Sequence, residues 1–263
     1  MGILATTVFP SLSRIGIPNP GRSPKLWILA ALAIAIPTTA LGDEIHMAWN
    51  ACELEGGTSV ENFACDTDAG EHVAVASFAL DAGLIGFQGM EGEIHLGWPL
   101  GTNSILPDWW STGPGTCREG AITLSFDFLD SPQTSCLDLW SGQALSGLLV
   151  DVVTTPNLPP HGSSTYGRIR FQAGLSSGPV DLNAGQEYLA FKIRIRNTGT
   201  TGPGGCDGCC ENAALVTPML RLFGTEERSM YPPNDRIQWQ SPTGCRPVPS
   251  LARSWGQVRG MYR

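Results

Sequence analysis

Eight cysteines constrain this chain more tightly than any other feature of its sequence, and three of them fall within five positions of a glycine-rich stretch. They are Cys52, Cys65, Cys117, Cys136, Cys206, Cys209, Cys210 and Cys245. The spacing Cys206-x-x-Cys209-Cys210 is compatible with a zinc knuckle, a redox centre or a set of disulfides. The choice depends on the compartment in which the chain folds, because thiolates persist only where the surroundings are reducing.

The first 42 residues have the three parts of a secretory signal peptide. A basic flank without acidic residues precedes an apolar run at 26–36, and small residues stand at positions 40 and 42. The run has 11 residues, whereas a spanning helix needs about 20. We therefore expect export with cleavage after Gly42 rather than retention as an N-terminal anchor, and no membrane span in the remaining chain.

An exported chain with an even number of cysteines is expected to oxidise them. Structural disulfides are thus favoured over zinc and over a thioredoxin-like centre, which would place its Cys-x-x-Cys at the start of a helix. About a hundred pairings are possible in principle. Proximity along the chain suggests Cys52–Cys65 and Cys117–Cys136, with the last four cysteines pairing among themselves.

The charge of the exported part excludes one class of partner. Three of the 16 Lys and Arg, and none of the 24 Asp and Glu, lie in residues 1–42, which leaves 13 basic and 24 acidic side chains and a formal net charge of −11. Phosphate backbones need a basic surface, so nucleic-acid binding is disfavoured. The end of the chain is the exception, because five arginines and no acid follow Asp235.

Apolar residues alternate with polar ones in short stretches separated by Gly and Pro, a pattern typical of strands. It predicts strands at 44–51, 72–80, 89–98, 121–128, 147–153, 166–173, 189–197, 214–223 and 235–240. Pro218 is expected to bend the eighth or place it at an edge, and the seventh is expected to be half-buried with Lys192 on its polar side. Because no helical pattern intervenes, we predict an all-β fold, an antiparallel β-sandwich of jelly-roll type.

The predicted sandwich domain spans 43–245, and a basic amphipathic tail spans 246–263. Within the tail, apolar residues recur at helical spacing after a possible N-cap at Ser250; they are Leu251, Trp255, Val258 and Tyr262. This spacing predicts a short C-terminal helix. The helix could dock on the sandwich, or it could be recognised by a partner or by an export or attachment machine.

Two stretches are candidate binding sites. Asp108-Trp109-Trp110 could present one indole with a neighbouring acid as a stacking platform for a sugar ring; the alternative is that both rings fill the core. Asp66 and Asp68 have the alternate spacing of oxygen ligands for calcium in a tight loop, although the stretch is not an EF-hand, and a solvated turn is the alternative.

The sequence offers no recognisable catalytic machinery. It lacks a nucleophile elbow, a His-Glu-x-x-His pair and a phosphate-binding glycine loop. A pair of carboxylates for glycoside hydrolysis is compatible with so acidic a chain, but no spacing singles one out. We expect a protein that is not an enzyme and has no cofactor.

Several motifs resemble known proteins. Ala48–Cys52, Phe63–Gly70, Trp140–Gln143 and Trp255–Arg263, together with the Trp109-Trp110…Cys117 stretch, resemble a group of secreted bacterial proteins of unassigned activity. More weakly, 82–88 and 184–193 resemble strands of cohesin and related carbohydrate-binding sandwich domains. The second resemblance implies a cohesin-like sandwich and nothing about its ligand.

Together these features predict a secreted bacterial β-sandwich that acts without catalysis in a structural, adhesive or assembly role, at the cell surface or in the extracellular medium. A polysaccharide or a surface protein is the expected partner. The alternatives are a carbohydrate-binding module that uses Trp109 or Trp110 and, less favoured, a secreted hydrolase.

Overall fold

The computed structural model describes residues 43–97, 106–131, 135–153, 166–231 and 236–243. The predicted signal peptide, the C-terminal helix and Cys245 lie outside these residues. The described part is almost entirely β, and its helical elements are two three-residue 3-10 turns, Glu53–Glu55 and Asp108–Trp110. No helix within it has the length and apolarity needed to cross a membrane.

The strands form two large sheets and one small one. They are β1 (Glu44–Trp49), β2 (Val60–Glu61), β3 (Glu71–Ala79), β4 (Leu84–Phe87), β5 (Gly89–Gly97), β6 (Ile122–Ser125), β7 (Ala144–Val153), β8 (Tyr166–Leu175), β9 (Val180–Leu182), β10 (Glu187–Arg196), β11 (Ala213–Phe223), β12 (Glu227–Met230) and β13 (Arg236–Trp239). The four-stranded sheet has the order β1-β3-β10-β6. The seven-stranded sheet has the order β2-β13-β11-β5-β8-β7 with β12 beside β11, and β4 pairs with β9.

All nine strands predicted from the alternation are present, and neighbouring strands pair antiparallel except for the two-residue contact of β2 with β13. The bend expected at Pro218 is confirmed. The register between β11 and β5 shifts between Val216 and Met219, and β11 pairs with β13 before the shift and with β12 after it. A proline cannot donate to a ladder, so it sits where β11 changes partner.

Aromatic side chains from the two large sheets meet in one core. Phe171 of β8 packs against Phe191 of β10 with ring centroids 4.7 Å apart, and Trp49 of β1 meets Trp239 of β13 at 5.9 Å. All four rings are buried. The two sheets therefore pack face to face, as the sandwich prediction required.

The outer face of the four-stranded sheet is covered in part, so the half-buried strand expected at 189–197 is only partly right: Arg194 and Arg196 reach solvent, whereas Lys192 does not. Lys192 and Ser77 on that face are both fully buried. Two stretches, which we call the cover segments, lie over the face and along the edge of β10: residues 51–57, and residues 126–140 apart from 132–134. The disulfide Cys52–Cys136 joins them, and a side chain at Gly57 would collide with Ala48 of β1.

The cover segments bring a counter-charge to the buried lysine. The Lys192 ammonium pairs with the carboxylate of Asp130 and lies 5.4 Å from the Phe128 ring centroid. Arg194, two residues along the same face, pairs with the other oxygen of Asp130 and with Glu71. A buried charge is tolerated only when it is paired, so Lys192 depends on the cover.

We predict that Asp130→Asn lowers the free energy of unfolding by about 1–2 kcal/mol, because the buried ammonium loses its carboxylate while solvent around the half-exposed Asp130 limits the loss. Lys192→Met should lower the free energy of unfolding less, because it removes the buried charge, while the carboxylate left behind on Asp130 is half-exposed and still paired with Arg194. Denaturant titration at neutral pH measures both, with the exposed Asp127→Asn as the control. A loss for Asp130→Asn no larger than the control's would contradict the prediction.

The same pair should make stability depend on pH. The hydrogen bond from Lys192, with help from Arg194, holds the pKa of Asp130 below its usual value. The stabilisation is therefore complete above about pH 4 and is lost as the pH falls through the lowered pKa. The stabilities of wild type and Asp130→Asn should converge below that pH.

Candidate functional site

The structure brings three of the sequence's candidate sites to one end of the sandwich. The 3-10 turn with Trp109 and Trp110, the acidic loop with Asp68, and the cysteine-rich loop at 206–210 lie against one another there. The main-chain N–H of Trp109 donates to the Asp207 carbonyl at 2.9 Å, and Asp68 contacts the loop that precedes Cys206. We call this region the loop junction.

The platform hypothesis for Trp109 and Trp110 is wrong in its premise, because neither indole offers a face to solvent. Trp109 is 0% exposed and Trp110 1% exposed, while Asp108 beside them is exposed. Both rings pack against Trp239, with centroids at 4.7 and 5.5 Å. The 3-10 turn directs both side chains inward, where they close the end of the core, as the alternative interpretation held.

A buried arginine holds the loop junction together. Arg118 donates from Nε to the Thr198 carbonyl at 2.9 Å, from one terminal nitrogen to the Trp109 carbonyl at 2.6 Å, and from the other to the Arg196 carbonyl. Its guanidinium carbon lies 3.4 Å from the Trp109 ring centroid. Burial lowers the pKa of Arg118 to about 10, against the opposing charge of Asp68, so the side chain remains a cation at neutral pH.

The weak calcium candidate also has a structural role. Oδ1 of Asp68 accepts hydrogen bonds from the Thr200 N–H at 2.9 Å, the Thr201 N–H at 2.7 Å and the Thr201 hydroxyl at 3.0 Å. The bond from the Thr201 N–H holds the pKa of Asp68 below its usual value. Asp68 thus caps the 198–201 turn with the oxygen that a cation would need, while Asp66 is exposed in the same loop.

The disulfides differ from the pairing that proximity suggested. The observed bridges are Cys52–Cys136, Cys65–Cys209 and Cys117–Cys206, with Cα atoms 6.7, 5.9 and 5.9 Å apart. The predictions Cys52–Cys65 and Cys117–Cys136 are therefore wrong, and so is the pairing of the last four cysteines among themselves, because the sheets bring together loops that are 84 to 144 residues apart. Cys210 is also disulfide-bonded.

The close packing of main chains at the loop junction explains why position 199 is a glycine. Gly199 has a φ of 73°, and a Cβ there would lie 2.7 Å from the Cys117 carbonyl oxygen and 3.1 Å from Cγ of Arg118. Any side chain would push the 198–201 turn away from the arginine. The disulfide Cys117–Cys206, the arginine and this glycine are parts of one packing arrangement.

Within the described ranges, one cluster has the geometry of metal ligands. The sulfurs of Cys52 and Cys136 and a carboxylate oxygen of Glu187 lie within 4.8 Å of one another. The two sulfurs are bonded to each other, and Glu187 accepts a hydrogen bond from the buried Ser77 hydroxyl. The cluster is therefore the anchor of the cover segments in the oxidised protein.

The surface of the cover segments carries three exposed leucines, which we call the leucine patch. Leu54, Leu129 and Leu137 are 67%, 69% and 50% exposed. Leu54 and Leu137 flank the disulfide Cys52–Cys136, and the main chain of Leu137 bonds the edge of β10 through the Glu187 carbonyl and the Leu189 N–H, each at 2.9 Å. Sequence reasoning missed this patch, although each leucine has an acidic neighbour, a pattern unusual for core residues.

The comparisons with known proteins add little to these contacts. Neither a protein-family model nor a curated protein matches the chain. A type II cohesin domain from the cellulosome of Acetivibrio cellulolyticus is similar at a TM-score of 0.30 and 9% identity, over 76% of this chain and 95% of the cohesin. This is a weak structural counterpart to the cohesin-like sequence resemblance, and it carries no argument about function.

We predict that Arg118→Met lowers the free energy of unfolding by about 3–5 kcal/mol, because three carbonyl oxygens lose their donor inside the loop junction. The loss of stability for Arg118→Lys should be intermediate, since an ammonium keeps the charge but cannot reach all three acceptors. Urea unfolding with the disulfides intact measures this, with the exposed Arg170→Met as the matched control. Equal losses for Arg118→Met and Arg170→Met would contradict the prediction.

We also predict the complete disulfide map of the oxidised protein. Digestion under non-reducing, acidic conditions should yield the three observed bridges and, because every other cysteine is then used, a fourth between Cys210 and Cys245. Cleavage before Asp207 separates Cys206 from the Cys209-Cys210 pair, and fragmentation assigns the last two. A peptide that links Cys52 to Cys65, or a free thiol, would refute the map.

Proposed function

We propose that this chain is a secreted bacterial binding module that acts without catalysis, in an adhesive or assembly role at the cell surface or in the extracellular medium. Its partner is a protein that binds the leucine patch. The observation that carries the proposal is the exposure of Leu54, Leu129 and Leu137 on cover segments that are themselves held by a disulfide.

The rigidity of the cover segments supports a binding role for the patch. The Cys52–Cys136 bridge joins the two cover segments to each other, and the Lys192–Asp130 ion pair and the bonds of Leu137 to β10 tie them to the sheet. Exposed apolar side chains that are already ordered lose little conformational freedom when a partner covers them. Clustered exposed apolar residues on an otherwise acidic surface are typical of protein contacts.

The environment of the nucleophiles and bases supports the non-catalytic part of the proposal. Each described histidine contacts a protein partner: His46 pairs with Glu44 and Glu53, His72 bonds Asn197, and His95 bonds Glu93. The pKa values of His72 and His95 are lowered by burial. Ser77, the cross-strand neighbour of His46, is fully buried beneath the cover, where no substrate reaches its hydroxyl.

The disulfides support the proposed location. The three mapped bridges join distant loops, and Cys210 is bonded as well. A protein held together in this way folds where thiols are oxidised, and such compartments lie outside the cytoplasm. The sequence-based prediction of a signal peptide at 1–42 agrees with this location.

Site-specific photo-crosslinking tests the proposal. A benzophenone side chain placed at Leu137 of the protein exported by its native host should give a discrete adduct with one other protein. The same probe at Ile85, which is 65% exposed on β4, is the matched control and should give none. Leu54→Asp in the Leu137 probe protein should reduce the adduct at least about tenfold, since a buried charge at the contact is unfavourable. Equal adducts at both positions, or none at Leu137, would disprove the proposed binding surface.

A further inference from the structure

The leucine patch has an acidic border. Leu54 lies between Glu53 and Glu55, Asp127 lies two residues before Leu129, and Asp138 follows Leu137. Oδ1 of Asp127 accepts from the Leu129 N–H, and Oδ1 of Asp138 accepts from the Trp140 and Ser141 N–H groups. Bonds from neutral donors leave the carboxylate charge in place, so a ligand of this patch should be apolar on one side and basic around it.

One segment of the chain itself has this chemistry. The last 20 residues, 244–263, contain four arginines and no acid, whereas residues 43–243 contain nine Lys and Arg against 24 Asp and Glu. In the tail helix predicted from the sequence, one face carries Leu251, Trp255, Val258 and Tyr262, and the arginines lie on other faces. The tail and the patch are complementary in both charge and apolar character.

The dimensions agree as well. Leu137 bonds β10 at Glu187 and Leu189, and Asp130 next to Leu129 reaches Lys192, so the patch extends on the order of 13 Å along the strand. A helix places Leu251 and Tyr262 about 16 Å apart. With Cys245 held by its predicted bridge, the link from it to the tail helix is residues 246–249, which can span about 13 Å; the chain just before Cys245 is bonded to Asn62, seven residues beyond Glu55 of the cover segments.

From this complementarity we propose that the C-terminal tail docks on the leucine patch of its own chain and covers it until a partner displaces it. The proposal rests on the proposed function, because it concerns the same surface. A tail attached through a short link has an effective concentration in the millimolar range, so its own patch is favoured over that of a second copy. Docking would bury the exposed leucines of the free protein and keep its molecules apart.

Tryptic release of the tail tests the proposal on the full exported chain. Trypsin can cut after Arg253 and Arg259, and the peptide 254–259 appears only when both bonds are open. We expect Leu129→Asp/Leu137→Asp to release this peptide at least about tenfold faster than wild type. The control Ile85→Asp/Val180→Asp, which changes two exposed apolar residues of β4 and β9, should match wild type. Equal rates in all three proteins would overturn the proposal.

The tail's own apolar residues and the protein concentration provide two more tests. Trp255→Ala/Tyr262→Ala leaves the described domain intact, and it should accelerate release of the peptide to the same extent as the patch variant; unchanged release would count against docking.

The wild-type rate of release should not change between about 1 and 100 µM protein, because an attached tail is already at millimolar effective concentration. Protection that grows with concentration would assign the tail to a second copy and overturn the proposal. The two proposals can fail separately. If the Leu137 probe crosslinks to another protein but the tail is cut equally fast in all variants, the proposed function stands and only the docking of the tail is overturned.

Discussion

One end of this protein depends on the hydrogen bonds and the stacking contact of the Arg118 guanidinium. Its three hydrogen bonds run to carbonyls of the 108–110 turn and of the chain that leaves β10, and its flat face lies on Trp109. A lysine could satisfy one of these groups, and an apolar residue none. Because the acceptors are main-chain atoms, the arginine determines the path of two loops. The disulfide from the adjacent Cys117 to Cys206 then closes the same junction covalently.

How far the sequence predicts the fold depends on the range of the interaction. Alternation is a local signal, and it located nine strands and the bend at Pro218. It missed β2, β4, β9 and β12, which have two to four residues each and do not lie within a longer alternating stretch, as the four-residue strands β6 and β13 do. The disulfide pairing was wrong because it was inferred from neighbours along the chain, while the bridges follow contacts between the sheets.

The candidate residues of the site illustrate the same limit. Trp109, Trp110, Asp68 and the cysteine cluster were singled out correctly as unusual, but one local pattern cannot distinguish a ligand-binding group from a structural one. Each becomes structural only because the others lie beside it. Lys192 shows the converse. The alternation of apolar and polar residues around it predicts an exposed side chain, but the cover segments, which Cys52–Cys136 joins, bury it. The leucine patch exists for the same reason, since those segments form a second surface above the sheet.

The order of the cysteines along the chain has a consequence for how the protein is made. In the export that we propose, the chain would enter an oxidising compartment from its N-terminus, and Cys65 would follow Cys52 closely, whereas the native partners of both come much later in the sequence. Oxidation that joined each cysteine to the next would therefore trap non-native bridges. Production of the native protein needs either thiols that wait for the sheets to form or a thiol catalyst that exchanges early bridges for late ones. Its yield should thus depend on the host's capacity for disulfide isomerisation more than on its oxidising strength.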